Sequence, residues 1–571
     1  MFINKHPLNL KVSYLLFIAF YQIGYSQLSP QKWQEDLSTF VENLEEFHPD
    51  PYHHITKEVF YDSLELTKKR ISNNDIANQI HVIKLVSLLR DRHTSIYPNS
   101  VFKNWLPLSI YKFEDGFYIV SGISKHKNLL GAKILSFEDT PSELVFNKVA
   151  DLHSSDNDIG RQLNTYYMSS LDVLEHYKFS NSKKQISLQV ELANGEQQKV
   201  VISGVNFARK LQNVTGLAEF FGPMDESTSS NYVMAYKELN VREYYNQPLE
   251  EKVDIPLFLR NRRGYWYDYL KDHKTMYIAV CYSTHNSRNG FDNFNAFLDE
   301  VFFEIDNNPI DKVILDIRFN PGGDGSITLP LVHEFIKREQ INTSGKLFTL
   351  IGRKTYSAAQ MIYAEMLKHT NTLLVGEPAG APVNGYGDPT SFTLPNSKMH
   401  YQISTAYWQM GHPNDNSWVQ KVDIPIVING KDYMEGIDRT MDYILSLEGN
   451  FKSLPELLKS SDITTFQNEY HKRFQDFGKY NWWKPFEERE MRYIARDLYD
   501  QGEIKKGELG FKALIEMYPN SWRAHRDYAR RLINLKEFDA ALKVVNKGLK
   551  VHSSNNDLQD LLELINKNIK N

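Results

Sequence analysis

Two short stretches of this sequence combine residue types that can carry covalent chemistry. The first, Asp316-Ile317-Arg318-Phe319-Asn320-Pro321-Gly322-Gly323-Asp324-Gly325, closes a β-branched apolar run that starts at Lys312. Neighbouring glycines have no Cβ, so their main-chain N–H groups can crowd towards a ligand as an oxyanion hole requires. Taken alone, Pro-Gly-Gly is more often just a turn. The second stretch, Gly352-Arg353-Lys354-Thr355-Tyr356-Ser357-Ala358-Ala359-Gln360-Met361, follows a strand ending at Ile351 and opens a helix. A serine there sits beside unsatisfied N–H groups and the positive end of the helix dipole, and the Ala358 N–H can help hold a developing oxyanion. Taken alone, such a serine more often only caps its helix.

Both stretches need a scaffold, and the surrounding periodicity supplies one. From Thr275 strands alternate with helices: Met276 to Cys281, a helix around Phe291 to Ile305, the strand to Ile317, a helix around Ile327 to Lys337, the strand Lys346 to Ile351, a helix from Ala358 to Leu367 and the strand Thr372 to Val375. Such alternation predicts a sheet covered by helices, with strand-rich sequence continuing to Ile428. Upstream, Trp33, Leu37, Phe40, Val41, Leu44 and Phe47 recur at helical spacing, and two more helices are predicted around Phe60 to Ile71 and Ile76 to Leu89. The next segment is strand-rich, and Asn194-Gly195 between Ile186 to Leu192 and Lys199 to Ile202 predicts a hairpin. After Trp482 only helical patterns remain. Leu498 with Leu532, Phe511 with Val545 and Ile515 with Leu549 keep a register of 34 residues, similar to tetratricopeptide repeats. About two units are visible, fewer than such arrays normally need, so the module is expected to lean on the catalytic domain.

Composition narrows the class. The chain has 571 residues, too many for one core, and a formal net charge of −5 that offers no basic field for nucleic acid. Lys5, Lys11, the apolar run Val12 to Phe20 and the small residues before Gln27 read as a secretory signal with cleavage near Ser26. The run is too short for a stable membrane span once cleaved, so the expectation is export, periplasmic or secreted. Cys281 is the sole cysteine and reads as a small core residue in a strand.

Together, the two stretches resemble the serine peptidases that include the carboxy-terminal processing proteases and the tricorn-type proteases. Their strand motif, Asp-hydrophobic-Arg-x-Asn-x-Gly-Gly, is matched from Asp316 to Gly323, and Thr-x-Ser-Ala-Ala from Thr355 to Ala359. Gly376-Glu377-Pro378-Ala379-Gly380, Leu394 to Ser397, Gly436-Ile437-Asp438 and, upstream, Asp91-Arg92-His93-Thr94 follow the family order, so the resemblance spans about residues 30 to 450. It implies an α/β fold with a crotonase-like core, preceded by helical and β-rich domains and followed by an all-α tetratricopeptide-like module. It also implies peptide-bond hydrolysis through an acyl-enzyme, on a peptide or protein substrate, with no metal or organic cofactor. Ser357 is the implied nucleophile, and Gly322, Gly323 and Ala358 supply the oxyanion donors. The processing-protease branch uses a lysine base, but the matching segment here reads Gly380-Ala381-Pro382-Val383. The tricorn-like branch uses a histidine from the N-terminal region, which His93 supplies. For the carboxylate that orients the imidazole, the resemblance suggests Asp423, with Asp388 and Asp415 as competitors. Gln360 replaces a glutamate found beside the serine in some relatives.

The expected divisions are a signal at 1–26, a helical domain at 27–100, a β-rich domain at 101–210, a connection at 211–270, the catalytic domain at 271–450, a linker at 451–487 and repeats at 488–571. Leu129 to Phe137 bears a faint similarity to the Gly-x-x-Ile core of a PDZ module. His48, His53 and His54 lack the helical spacing of zinc peptidases and are expected in a loop between helices. Two rival readings stay open: an inactive peptide- or ligand-binding protein on the same fold, and a scaffold whose helical repeats engage a protein partner.

Overall fold

The computed structural model describes residues 27–99, 101–206, 232–239, 247, 249–252, 254–260, 264–449 and 451–569. The expected signal at 1–26 and much of the connection at 211–270 lie outside the described residues.

The architecture is mixed α/β with several sheets and a helical C-terminal region. At its centre lies a six-stranded sheet. Thr275–Val280, Lys312–Asp316, Leu347–Ile351, Leu373–Gly376 and Ile424–Pro425 run parallel in that order, and Tyr265–Leu270 pairs antiparallel at one edge. Every residue of the strands at 275–280, 312–316 and 347–351 is buried, which explains their unbroken apolar character. One face packs on Phe294–Asn307, Thr328–Ile336 and Ala358–His369 through Phe297, Val301, Leu331, Phe335 and Ile362. Cys281 is buried just past the end of its strand.

The N-terminal helices Pro30–Phe47, Lys57–Arg70 and Asp75–Ser87 share one hydrophobic core with the strands Gly116–Ile123, Lys133–Phe137 and Gln185–Glu191. Trp33, Phe40, Ile119, Phe137 and Leu188 meet there, so the helical and β-rich segments form one packed body. The hairpin at Asn194-Gly195 forms as expected, Gly195 taking a φ of +84°. Tyr401 and Ile403, from the strand His400–Trp408, enter the same core. That strand pairs with Ser95–Ile96 and with Gly385–Thr393 in a separate sheet. Sequence that follows the serine stretch thereby captures the segment that carries His93.

The helices Glu488–Asp500 and Ile504–Met517 recur, boundary for boundary, 34 residues later as Trp522–Asn534 and Phe538–Val551. Left-handed turn residues recur at the same offset, Gly502 and Lys536. So do the links that close each helix pair: Tyr518 Oη donates to the Phe486 carbonyl, and His552 Nε2 donates to that of Asn520. The linker expected at 451–487 is corrected. It folds into Leu454–Ser460 and Ile463–Phe477, whose Leu454, Leu458, Phe466 and Tyr470 complete the C-terminal core, because their spacing gives each helix an apolar face. The module leans on the central sheet: Lys484 N–H reaches the Val422 carbonyl, Trp483 Nε1 donates to that of Asp423, and the Trp483 ring is buried beside Phe477 and Ile424. Trp483→Ala is expected to destabilise the protein by about 3–5 kcal/mol, read as a fall in melting temperature with faster proteolytic release of the C-terminal helices.

Candidate functional site

The glycine loop is fixed first by charge. Arg318 forks onto Asp316 below it (Nη2 to Oδ2, 2.6 Å) and onto Asp438 (2.7 and 2.9 Å), the residue that caps the helix Arg439–Ser446. Tyr277 Oη also donates to Asp316 at 2.6 Å. Burial opposes ionisation of Asp316, but the Arg318 charge outweighs it and holds the carboxyl below its ordinary value. Above this cluster Asn320 ties three segments together: its carbonyl accepts the Tyr356 N–H, its Oδ1 the Gly322 N–H, and its Nδ2 reaches Ser283 Oγ. Gly322 and Gly323 adopt φ of +108° and +125°. A Cβ on Gly323 would lie 2.2 Å from the Ser283 carbonyl oxygen, and one on Gly322 would lie 2.6 Å from Ser357 Cβ. Only glycine fits at either position.

Ser357 stands at the start of Ala358–His369 with φ 56° and ψ −124°, unlike the extended backbone of the ordinary caps Ser29, Thr56 and Asn293. Such a conformation costs a non-glycine residue about 1–3 kcal/mol, and here the surroundings enforce it. Thr355 Oγ1 donates to the Ile317 carbonyl, Tyr356 N–H is held by Asn320, and Gln360 Oε1 accepts the Ser357 N–H. Gln360 thus has a local backbone role, and its Nε2 donates to the Pro382 carbonyl.

Ser357 and His93 line one cavity of about 350 Å³, with Met361, Pro382, Trp408 and Met410 on its apolar walls. His93 is delivered by the turn after the helix Asp75–Ser87, where Arg90 takes a φ of 50° and the Asp91 carboxylate accepts the His93 N–H. Asp91 is buried and also accepts from Ser404 Oγ (2.6 Å) and His48 Nε2 (3.0 Å). His48 Nδ1 accepts the Asp50 N–H, so its proton sits on Nε2, and this histidine serves the turn. The Tyr386 carbonyl lies 3.0 Å from His93 Nδ1. A carbonyl only accepts, so Nδ1 carries the proton and Nε2 the lone pair. Among the described residues nothing hydrogen-bonds to Nε2, and no hydrogen bond joins it to Ser357. Nucleophile and base are often held loosely until substrate arrives.

Burial lowers the His93 pKa below its ordinary 6.5, against the pull of Asp91 and the Tyr386 carbonyl. The ring is therefore neutral at pH 7. Folding must also exclude a proton that the unfolded chain binds below pH 6.5, so this residue's contribution is intact above that value and is lost as pH falls. His93→Gln should accordingly lose less stability than the wild type on going from pH 7 to pH 5, read as a smaller fall in melting temperature.

The main-chain donors sort differently from the expectation. Gly322 is corrected as an oxyanion donor, because Asn320 Oδ1 already takes its N–H at 2.8 Å. The Gly323 and Ala358 N–H groups have no partner among the described residues, and both line the cavity. The candidate carboxylates fare likewise. Asp423 is corrected: it accepts the Leu374 N–H at 2.8 Å, pairs with Lys484 and lines a different cavity, between the core and the C-terminal helices. Asp415 is corrected too, since it lines that second cavity and accepts the Ser417 N–H. Asp388 does line the Ser357 cavity and raises the His93 pKa, but its side chain is exposed.

No motif marks the groups that do surround the imidazole. Tyr356 stacks on it with ring centroids 4.7 Å apart and places its hydroxyl 2.9 Å from Nδ1. Asp156 lines the same cavity, accepts the Arg92 N–H at 2.7 Å and interacts electrostatically with the Tyr356 hydroxyl. Burial and the nearby Asp91 charge push its carboxyl up to about 7. Asn157 then binds the lobes together, donating to the Ala379 and Trp418 carbonyls, and Gly160 packs against Gly380 so closely that a Cβ would lie 2.4 Å from its oxygen.

Solved structures share this fold. A serine-to-alanine mutant of CPAF superposes with a TM-score of 0.51 at 10% identity, covering 74% of this chain and 99% of that one. The chain has the CPAF fold. Mature CPAF complexed with lactacystin gives 0.48 at 11% identity, covering 73% and 97%, and the tricorn protease 0.32 at 12%, covering 72% and 36%. No family model matches the chain, and no curated protein matches it either.

Proposed function

We propose that this chain is an exported serine peptidase that hydrolyses peptide bonds through an acyl-enzyme, on a crotonase-like core followed by tetratricopeptide-like repeats. The observation that carries the reading is one cavity holding a serine in a strained turn, a neutral histidine, and, without partners among the described residues, its Nε2 and two main-chain N–H groups. In the proposed cycle His93 Nε2 takes the Ser357 proton as Oγ attacks the carbonyl carbon. The Gly323 and Ala358 amides receive the oxyanion, His93 returns the proton to the leaving amine, and water then releases the acyl group. The motif order and the tricorn-like histidine support the assignment to that branch. A wall of Met361, Pro382, Trp408 and Met410 suits an uncharged peptide segment. The expected localisation is periplasmic or secreted; no described helix is long and apolar enough to cross a membrane. A fluorophosphonate probe tests the proposal: it should label the wild type and spare Ser357→Ala, and equal labelling of the two would end it.

A further inference from the structure

We propose that Asp156 is the working carboxylate of this site, a positioning residue that acts on His93 through the Tyr356 hydroxyl. The inference rests on His93 as the base but names a partner that no motif contains. Its geometry is a chain of contacts. Tyr356 Oη lies 2.9 Å from His93 Nδ1, whose proton is already directed at the Tyr386 carbonyl, so the phenol oxygen can only accept from this nitrogen. The phenol's own proton is left for Asp156, whose carboxyl lines the same cavity and whose charge acts on the hydroxyl. Asp156 is fixed from the other side by the Arg92 N–H, and the Arg92 guanidinium lies over the Tyr356 ring at 5.0 Å.

When Ser357 gives its proton to Nε2, the imidazole becomes a cation and Nδ1–H is shared between the Tyr386 and Tyr356 oxygens. The Tyr356 proton remains on the phenol and points at Asp156. No proton moves along the chain; the negative charge stabilises the imidazolium across one intervening hydroxyl. Tyr356 itself stays a phenol, because burial and then the Asp156 charge raise its pKa.

The other charged groups facing the pair are accounted for. Asp91 and Arg92 flank His93 in sequence, Asp388 approaches from the strand Gly385–Thr393, and His48 donates to Asp91. Asp91 is engaged by His48, Ser404 and the His93 backbone, so its charge supports the imidazole through space while, among the described residues, it makes no hydrogen bond to the ring. Because the Asp156 carboxyl titrates near 7, the relay is charged above neutrality and discharged below it. Support for the imidazolium therefore grows as pH rises through 7.

The test is a titration of His93 by NMR on full-length protein with isotope-labelled histidine, the signal being assigned by its loss in His93→Gln. Asp156→Asn keeps shape and an acceptor but removes the charge; Tyr356→Phe keeps the stacked ring but removes the hydroxyl. Each should lower the His93 pKa by about one unit and slow fluorophosphonate labelling of Ser357 about tenfold, and the double variant should fall no further than the weaker single one. The labelling rate of Asp156→Asn should also lose its rise through pH 7. An unchanged His93 titration in both variants would overturn the proposal. Failure of the peptidase reading would look different: labelling indifferent to Ser357→Ala while the His93 shifts persist.

Discussion

Ser357→Ala is expected to lower peptide hydrolysis by roughly 10⁴–10⁶-fold, His93→Ala to do nearly as much, and the double variant to fall little below the worse single. Nucleophile and base act as one unit: without the hydroxyl there is no proton for the imidazole to take, and without the imidazole the hydroxyl stays protonated at neutral pH. What remains comes from the Gly323 and Ala358 amides and from binding. The measurement is a double-mutant cycle on kcat/KM with a peptide substrate that the wild type turns over. Additive losses would mean that the two residues do not share a step. Ser357→Ala should leave the fold intact, since the Ser357 N–H is held by Gln360 Oε1 and its carbonyl by the Gln360 N–H, and neither bond uses the hydroxyl.

Arg318 carries the second large effect, on stability. Its guanidinium is buried between the Asp316 and Asp438 carboxylates, so Arg318→Ala strands two negative charges out of water. Breaking such a cluster from one side costs about 3–5 kcal/mol. Because Asn320, Gly322 and Gly323 ride on the same loop, hydrolysis should fall with it. Arg318→Lys keeps a charge but not the fork that engages both carboxylates, and should fall between alanine and the wild type. Thermal and chemical denaturation read the series; a wild-type midpoint for the alanine variant would show that the cluster contributes nothing.

The elements were legible because their signals are local. Buried strands such as Lys312–Asp316 announce themselves as continuous apolar runs, and the boundaries of the central helices fell within a few residues of the expectation. The helices at 454–477 escaped notice for the opposite reason: their apolar faces are narrow and are completed by residues of the repeats. At the site, Ser357 and His93 emerged from motif order, and the structure brings both to one cavity. The orienting carboxylate could not emerge that way. Asp423 looked eligible because a sequence does not show that Lys484 and the Leu374 N–H already engage it. Asp156 reaches His93 only through Tyr356, two hundred residues further along, and nothing in Ser154-Ser155-Asp156-Asn157 marks that contact. Gly322 illustrates a further limit: the glycine is required for space, while its N–H belongs to Asn320.

The capture of the Asp91 to Ile96 segment by a later strand sets when the protein can first act during its own synthesis. Ser95 pairs with Gln402, Asp91 is bonded by Ser404, and His93 is oriented by the Tyr386 carbonyl, all encoded after Ser357. A growing chain that has released Ser357 from the ribosome still lacks the parts that aim His93. Partially made copies should consequently be harmless to their neighbours, with reactivity switching on only once the polypeptide has emerged past about residue 404 and closed back on its beginning.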